Sequence, residues 1–141
     1  MKKSLLYRLF GVGKLPAEFA DGRTAESIVL SDEGLAGSVT YRNFRRPGKY
    51  SAYQSVGLVG SIVVTNERIA AYSGENPIID VEFTDERLRQ IAFSVLPNGS
   101  LLAAFDASLF HADWSGNIEY RFKTPMAAAI VERIHSSLPS T

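Results

Sequence analysis

The chain has 141 residues, 45% of them hydrophobic and 21% charged, with 15 basic and 15 acidic side chains. This length suits one compact domain, and the composition excludes a disordered or fibrous chain. The absence of cysteine excludes disulfide frameworks, thiolate metal sites and cysteine nucleophiles, so we expect a cytoplasmic protein. No stretch approaches the roughly 20 apolar residues of a membrane-spanning helix, so any membrane contact would be peripheral.

The charges are segregated although they sum to zero. Two segments are wholly basic and hold eight of the fifteen cations: Lys2, Lys3, Arg8 and Lys14 in the first, and Arg42, Arg45, Arg46 and Lys49 in the second. The rest of the chain holds seven basic residues and all fifteen acidic ones. Two basic islands on an acidic body indicate a patterned surface that orients the protein toward an anionic partner.

The first 24 residues read as a helical lead-in to the domain. Leucines and a phenylalanine recur at helical spacing over residues 3–10, which predicts a short amphipathic helix. Gly11 and Gly13 end it, and residues 16–19 add a further turn. We therefore divide the chain into a lead-in, residues 1–24, and one domain, residues 25–141.

From residue 26 onward, short β-branched and aromatic runs alternate with turn residues, as in an antiparallel barrel or sandwich. About seven strands are predicted from eight candidate segments, the first of which alternatively belongs to the lead-in. A turn at residues 31–34 separates the first two segments, and Pro97-Asn98-Gly99 forms a hairpin turn. Residues 108–114 are left open as strand or loop. The predicted segments are 27–30, 35–43, 57–65, 68–72, 79–83, 91–95, 101–105 and 118–122.

The end of the sequence predicts one amphipathic helix. Thr124 supplies a hydroxyl cap, and Pro125 suits the first helical position. One apolar face follows at helical spacing, formed by Met126, Ile130, Ile134 and Leu138. Pro139 ends the helix. An apolar face of this kind must be buried, so we expect the helix to close an open end of the sheet.

This order of elements resembles a pleckstrin-homology-like (PH-like) split barrel. Segment 60–69 (GSIVVTNERI) is similar to the glycine, strand, Thr-Asn-x-Arg turn and strand of bacterial PH-like and GRAM-type domains, and segment 118–122 (IEYRF) is similar to their last strand. The resemblance covers residues 25–138. It implies a mainly β fold of about seven antiparallel strands closed by a C-terminal helix, and a module that binds lipids, peptides or proteins without catalysing a reaction.

The second basic island is the best candidate for a binding site. Arg42, Arg45, Arg46 and Lys49 are interleaved with Tyr50 and other aromatic residues, a combination that suits phosphate groups or an anionic surface. The alternative is a solvated hairpin loop whose arginines pair with the acidic body. Lys2, Lys3 and Arg8 could hold the lead-in helix against an anionic membrane, or the helix could pack on the domain.

The remaining patterns give no enzyme site. Asp106, His111 and Asp113 are metal-ligand types, but one histidine and two carboxylates make an incomplete set, and no metal is expected. The pairs Asp80 with Glu82 and Asp85 with Glu86 lie on a strand face and in a turn, without an evident buried environment. Catalytic and nucleotide-binding motifs are absent. The near-neutral charge argues against nucleic acid as a partner.

Three functions therefore remain as hypotheses. The first is a non-catalytic, cytoplasmic interaction module that binds a protein partner or itself. The second is peripheral binding to anionic lipid headgroups through the basic segment and the lead-in. The third is a ligand carrier or enzyme that uses the barrel interior, lined by residues such as Tyr72, His111 and Tyr120. No cofactor is expected.

Overall fold

One seven-stranded sheet forms the body of the protein. The computed structural model describes residues 3–16, Phe19 and residues 27–138. The strands are β1 Ile28–Arg46, β2 Lys49–Thr65, β3 Arg68–Ser73, β4 Asn76–Glu82, β5 Ala92–Val95, β6 Leu101–Asp106 and β7 Ser115–Phe122. The described helices are α1 Leu5–Phe10 and α2 Ala127–Ser137, with short 3-10 helices at Glu86–Gln90 and Ala107–Leu109.

The strand order is β4-β3-β2-β1-β7-β6-β5, and every neighbouring pair is antiparallel. Two meanders, β1 to β4 and β5 to β7, therefore meet where β1 pairs with β7. The sheet curls into a half-barrel whose concave side holds the main apolar core. The expected mainly β fold with a C-terminal helix is confirmed.

Helix α2 packs against β5 and β6. Ile130 and Ile134 are each 1% exposed, as their helical spacing predicts. The helix begins at Ala127, later than its predicted cap, but the Thr124 hydroxyl does accept a hydrogen bond from the Met126 N–H at 3.1 Å. Pro139 lies outside the described residues. The helix thus covers one end of the sheet, at the β5 edge.

The predicted turn at residues 31–34 is wrong. Residues 28–46 form one continuous strand, and Glu33 and Gly34 lie opposite the single residue Ser61 of β2, which makes a bulge with one extra residue. The strands also continue through the basic segment as far as Arg46 and again from Lys49, beyond the predicted strand end at residue 43. Residues 108–114, left open by the sequence as strand or loop, lie in the 3-10 helix Ala107–Leu109 and the turn that follows it.

The described part of the lead-in packs on the sheet. Tyr7 lies against Gly34, and Lys3 forms an ion pair with Asp32. The Asp32 carboxylate also accepts a hydrogen bond of 2.8 Å from the Thr124 hydroxyl, so it joins the lead-in to the approach to α2. Phe19 packs on the convex face of β2 and β3. Residues 17, 18 and 20–24 and the predicted domain boundary lie outside the described residues.

The close approach of β1 and β7 depends on Gly37. A Cβ added there would lie 2.2 Å from the backbone oxygen of Arg121, whereas a Cβ added at Gly57 of β2 meets nothing within 4 Å. We expect Gly37→Ala to lower the free energy of unfolding by about 1–3 kcal/mol, because two backbones must separate. Gly57→Ala is the matched control and should cause no loss.

Urea titration at one low protein concentration measures both effects. Equal stabilities of the two variants would contradict this account of the sheet.

Candidate functional site

The four basic residues of the second island lie at the end of a long hairpin. Arg42, Arg45 and Arg46 close β1, and Lys49 opens β2 after a turn at Pro47 and Gly48. We call residues 41–53 the basic hairpin. Strand β3 pairs with β2 only from Gly60 to Val64, whereas β7 follows β1 as far as Arg45. The basic hairpin therefore projects beyond β3 and rests on β7.

Each arginine of the basic hairpin lies over an aromatic ring. The Arg42 guanidinium is 5.2 Å from the Tyr53 ring centroid, and that of Arg45 is 4.5 Å from the Tyr50 centroid. Both are cross-strand pairs in the β1–β2 register, which explains the contact. Arg46 lies 5.9 Å from the Trp114 ring. Stacking of this kind holds the cations in place without neutralising them.

Arg42 is the one member of the cluster with a carboxylate partner among the described residues. Its Nε donates to Glu119 Oε2 at 2.9 Å, and the other Glu119 oxygen accepts from Arg121 at 2.6 Å. Arg121 also donates to the Thr40 hydroxyl. Within the described chain, Arg45, Arg46 and Lys49 form no ion pair. Three exposed positive charges therefore remain available to a partner.

An aromatic cluster supports the base of the hairpin. Phe44 is buried and meets Trp114 edge to face, with ring centroids 5.3 Å apart. Trp114 also stacks on His111 at 3.7 Å. Gly116 allows β7 to approach the hairpin, since a Cβ there would lie 2.4 Å from the Asn43 carbonyl oxygen. The cluster fixes the position of the strand that carries the arginines.

Sequence reasoning found the four cations and Tyr50 but missed two residues that organise them. From the sequence, Glu119 was placed in the strand segment 118–122 and Trp114 at the end of the open segment 108–114, and neither residue was assigned to the site. Their roles arise because β7 pairs with β1, and no local pattern announces that pairing. The tyrosines interleaved with the cations were the usable signal for the stacked pairs. In a hairpin each residue of one strand lies directly opposite a residue of the other, and Tyr53 lies opposite Arg42.

The lead-in cations lie elsewhere. Lys3 pairs with Asp32, Arg8 is exposed, and Lys2 lies outside the described residues. Asp32 and Arg42 are ten residue steps apart along β1, which is up to about 33 Å at 3.3 Å per residue. The structure therefore does not bring Lys3 and Arg8 together with the basic hairpin.

The other candidates do not assemble either. The Asp106 carboxylate accepts hydrogen bonds from the hydroxyl and the N–H of Ser108. Both lower the Asp106 pKa, and the bond from the hydroxyl has the larger effect. His111 and Asp113 are exposed, and the described residues contain no group of three acidic, histidine or cysteine side chains placed to hold a metal. Asp80 pairs with Arg68, and Asp85 with Arg87.

The three residues suggested for an interior site lie in different places. Tyr72 packs on the convex face with Phe19. Tyr120 lies in the concave core, where burial raises its pKa. His111 is exposed. They share no common cavity.

Comparison with known proteins gives no family for this chain. No family model matches the sequence, and no curated protein matches it significantly. Within the described residues, no helix has the length and apolar character needed to cross a membrane.

The Glu119 bridge predicts a pH dependence of stability. Partial burial acts to raise the Glu119 pKa, but hydrogen bonds from Arg42 and Arg121 outweigh it, and the pKa lies below the ordinary glutamate value. A carboxylate with a lowered folded-state pKa stabilises the fold above its unfolded-state pKa, and that contribution is lost as the pH falls through the folded-state pKa. Glu119→Gln should therefore lower the free energy of unfolding by up to about 1 kcal/mol at neutral pH.

Unfolding of wild type and variant is compared at about pH 7 and about pH 2.5, on either side of the ordinary glutamate pKa of roughly 4.3. The difference in the free energy of unfolding between wild type and Glu119→Gln should be smaller at the lower pH. Glu86→Gln is the control, because Glu86 is exposed and forms no ion pair in the described chain. A difference that is constant with pH would contradict the bridge.

Proposed function

We propose that the chain is a PH-like interaction module, acting without catalysis in the cytoplasm, that binds a protein partner or a second copy of itself through the basic hairpin. The observation that carries this proposal is the set of three arginines held over aromatic rings on a projecting hairpin. Tyr50 is 55% exposed and Tyr53 is 62% exposed. Arginine and tyrosine are among the residue types enriched at binding hot spots.

The chemistry of the hairpin favours an anionic protein surface. Arg45, Arg46 and Lys49 have no carboxylate partner within the described residues, so a carboxylate-bearing partner gains charge-assisted hydrogen bonds there. Stacking orders the Arg45 side chain before binding, which reduces the entropy lost on association. The order of strands, with a closing helix against β5 and β6, supports the PH-like assignment.

Site-specific photo-crosslinking in the cells that make the protein tests this function. A photoreactive residue in place of Tyr50 should capture a protein partner or a second copy, while the same residue at the exposed Val95 of β5 should not. The variant Arg45→Glu plus Arg46→Glu should reduce the Tyr50 product at least tenfold. Lys14→Glu plus Lys123→Glu makes the same change in net charge away from the hairpin and should leave it unchanged.

Two results would contradict the proposal. One is a Tyr50 product made of lipid alone, and the other is a protein product that persists after charge reversal of the hairpin.

Binding to an anionic membrane surface is a second candidate. Two exposed tyrosines beside cations are typical of side chains that settle at the lipid headgroup layer. The exposed Leu5 and Leu9 of α1 are also available, but they lie near the other end of β1, so the hairpin would bind alone. Three cations then contribute roughly 1 kcal/mol each near an anionic surface.

Cosedimentation with phosphatidylserine vesicles tests this second function. Binding should decrease as salt is raised, because salt screens exposed charges, and it should decrease on Arg45→Glu plus Arg46→Glu. Phosphatidylcholine vesicles are the control. The absence of binding to anionic vesicles at low salt would exclude the membrane function and leave the protein-binding function standing.

A further inference from the structure

The side chains of the basic hairpin do not alternate regularly between the two faces of the sheet. In a regular strand, residues two apart share a face. Arg42 bonds to Glu119, which lies between Ile118 and Tyr120 of the concave core and therefore faces the convex side. Phe44, two residues after Arg42, is instead buried in the concave core. The alternation of β1 is therefore broken between Arg42 and Phe44.

Asn43 lies at this break. Its φ is 50°, and no other non-glycine residue of the described chain has a positive φ. The β1–β2 register of the described chain has no Asn43–Ala52 pair, although the pairs on both sides of it are present. The three steps along β1 from Arg42 to Arg45 match only two steps along β7. Asn43 is therefore at a bulge, which breaks the alternation of the strand.

The break places Arg42 and Arg45 on the same face. Three residues apart in a regular strand, they would face opposite sides. Phe44 points into the concave core, so the next residue, Arg45, points to the convex side. Cross-strand partners share a face, so Tyr53 opposite Arg42 and Tyr50 opposite Arg45 lie there too. We call these two arginines and two tyrosines the tyrosine face.

The other two cations of the hairpin lie on the opposite face. The Arg46 guanidinium is 5.9 Å from the ring of Trp114, which in turn meets Phe44. Lys49 pairs with Arg46 across the turn and shares its face. The Trp114 ring is half-buried and already stacks on His111. This face therefore offers two exposed cations beside a ring that is already in use.

We propose that the tyrosine face, and not the face of Arg46 and Lys49, contacts the partner, and that Asn43 is the positioning residue that assembles it. Left-handed backbone is uncommon outside glycine, and such residues cluster at functional sites. This inference rests on the proposed function, because it names the surface of the hairpin that binds and the chemistry of its partner.

The tyrosine face fits a protein surface that carries a carboxylate beside apolar side chains. Arg42 is already paired with Glu119, whereas Arg45 forms no ion pair in the described chain. Arg45 therefore takes the carboxylate of the partner. The rings of Tyr50 and Tyr53, 55% and 62% exposed, take its apolar groups.

The cations on the opposite face act at longer range. Exposed charges outside a contact change the rate of association and its salt dependence more than the affinity of the complex. Arg46 and Lys49 should therefore attract the same acidic partner without touching it.

Two neighbouring arginines give a matched test in the full chain. A photoreactive residue is placed at Ser55, which is exposed and bonds across the sheet to Thr40, two residues before Arg42 and on the same face. Its protein product, measured in the cells that make the protein, should fall at least tenfold in Arg45→Ala. Arg46→Ala also removes one exposed, stacked guanidinium, but from the opposite face, and should lower the product less than twofold.

Substitutions of Asn43 test its positioning role with the same Ser55 reporter. Asn43→Gly accepts a positive φ and should keep the product within twofold of wild type. Asn43→Val disfavours that conformation, so Arg45 no longer shares a face with Arg42, and the product should fall at least tenfold. Trp114 is the single tryptophan, and its emission should shift to longer wavelength in Asn43→Val alone, because Phe44 leaves its ring.

Thermal unfolding of both Asn43 variants checks that they fold. The comparison of Arg45→Ala with Arg46→Ala does not depend on either of them, so it decides the contact face even where Asn43→Val is unstable.

Three results would overturn the inference: equal losses in Arg45→Ala and Arg46→Ala, an undiminished product in Asn43→Val, or a loss in Asn43→Gly as large as in Asn43→Val. A Tyr50 product that still depends on the charges of the hairpin would then leave the proposed function standing. The absence of a protein product at both Tyr50 and Ser55 would instead remove the proposed function and this inference together.

Discussion

Strand β1 is the element on which the rest of the structure depends. It pairs with β2 on one side and with β7 on the other, so it joins the two meanders into a single sheet. This strand has 19 residues, and it bends between the part that pairs with β2 alone and the part that pairs with both β2 and β7. Its bulge between Asp32 and Leu35 and its register shift against β7 between Arg42 and Arg45 divide it into segments, and bulges increase the local twist. The half-barrel follows from this one strand.

The projecting hairpin is a consequence of unequal strand lengths. Strands β1 and β2 have 19 and 17 residues, whereas β3 has six. The hairpin therefore extends beyond β3 on one side. On the other side it is held by β7 and by the cluster around Phe44 and Trp114. A rigid hairpin with an exposed face suits recognition, because side chains that are already positioned lose less entropy on binding.

The sequence predicts the fold where side chains alternate and fails where they do not. Alternation in segments 79–83 and 118–122 and the helical spacing of Ile130 and Ile134 led to correct elements, because one face of each is buried. The predicted turn at residues 31–34 failed because a bulge, with Gly34 at φ 68°, absorbs turn-forming residues without ending the strand. The site was half predicted: its cations are local in sequence, whereas Glu119 and Trp114 join them through non-local pairing of β7.

The basic hairpin acts through the local arrangement of its side chains. The Arg45 guanidinium stacks on Tyr50, and Arg45, Arg46 and Lys49 have no carboxylate partner within the described residues. An anionic partner therefore meets cations of which at least one is already ordered, and less entropy is lost on binding. The zero net charge of the chain is compatible with this role, since the basic residues act through their local concentration on the hairpin.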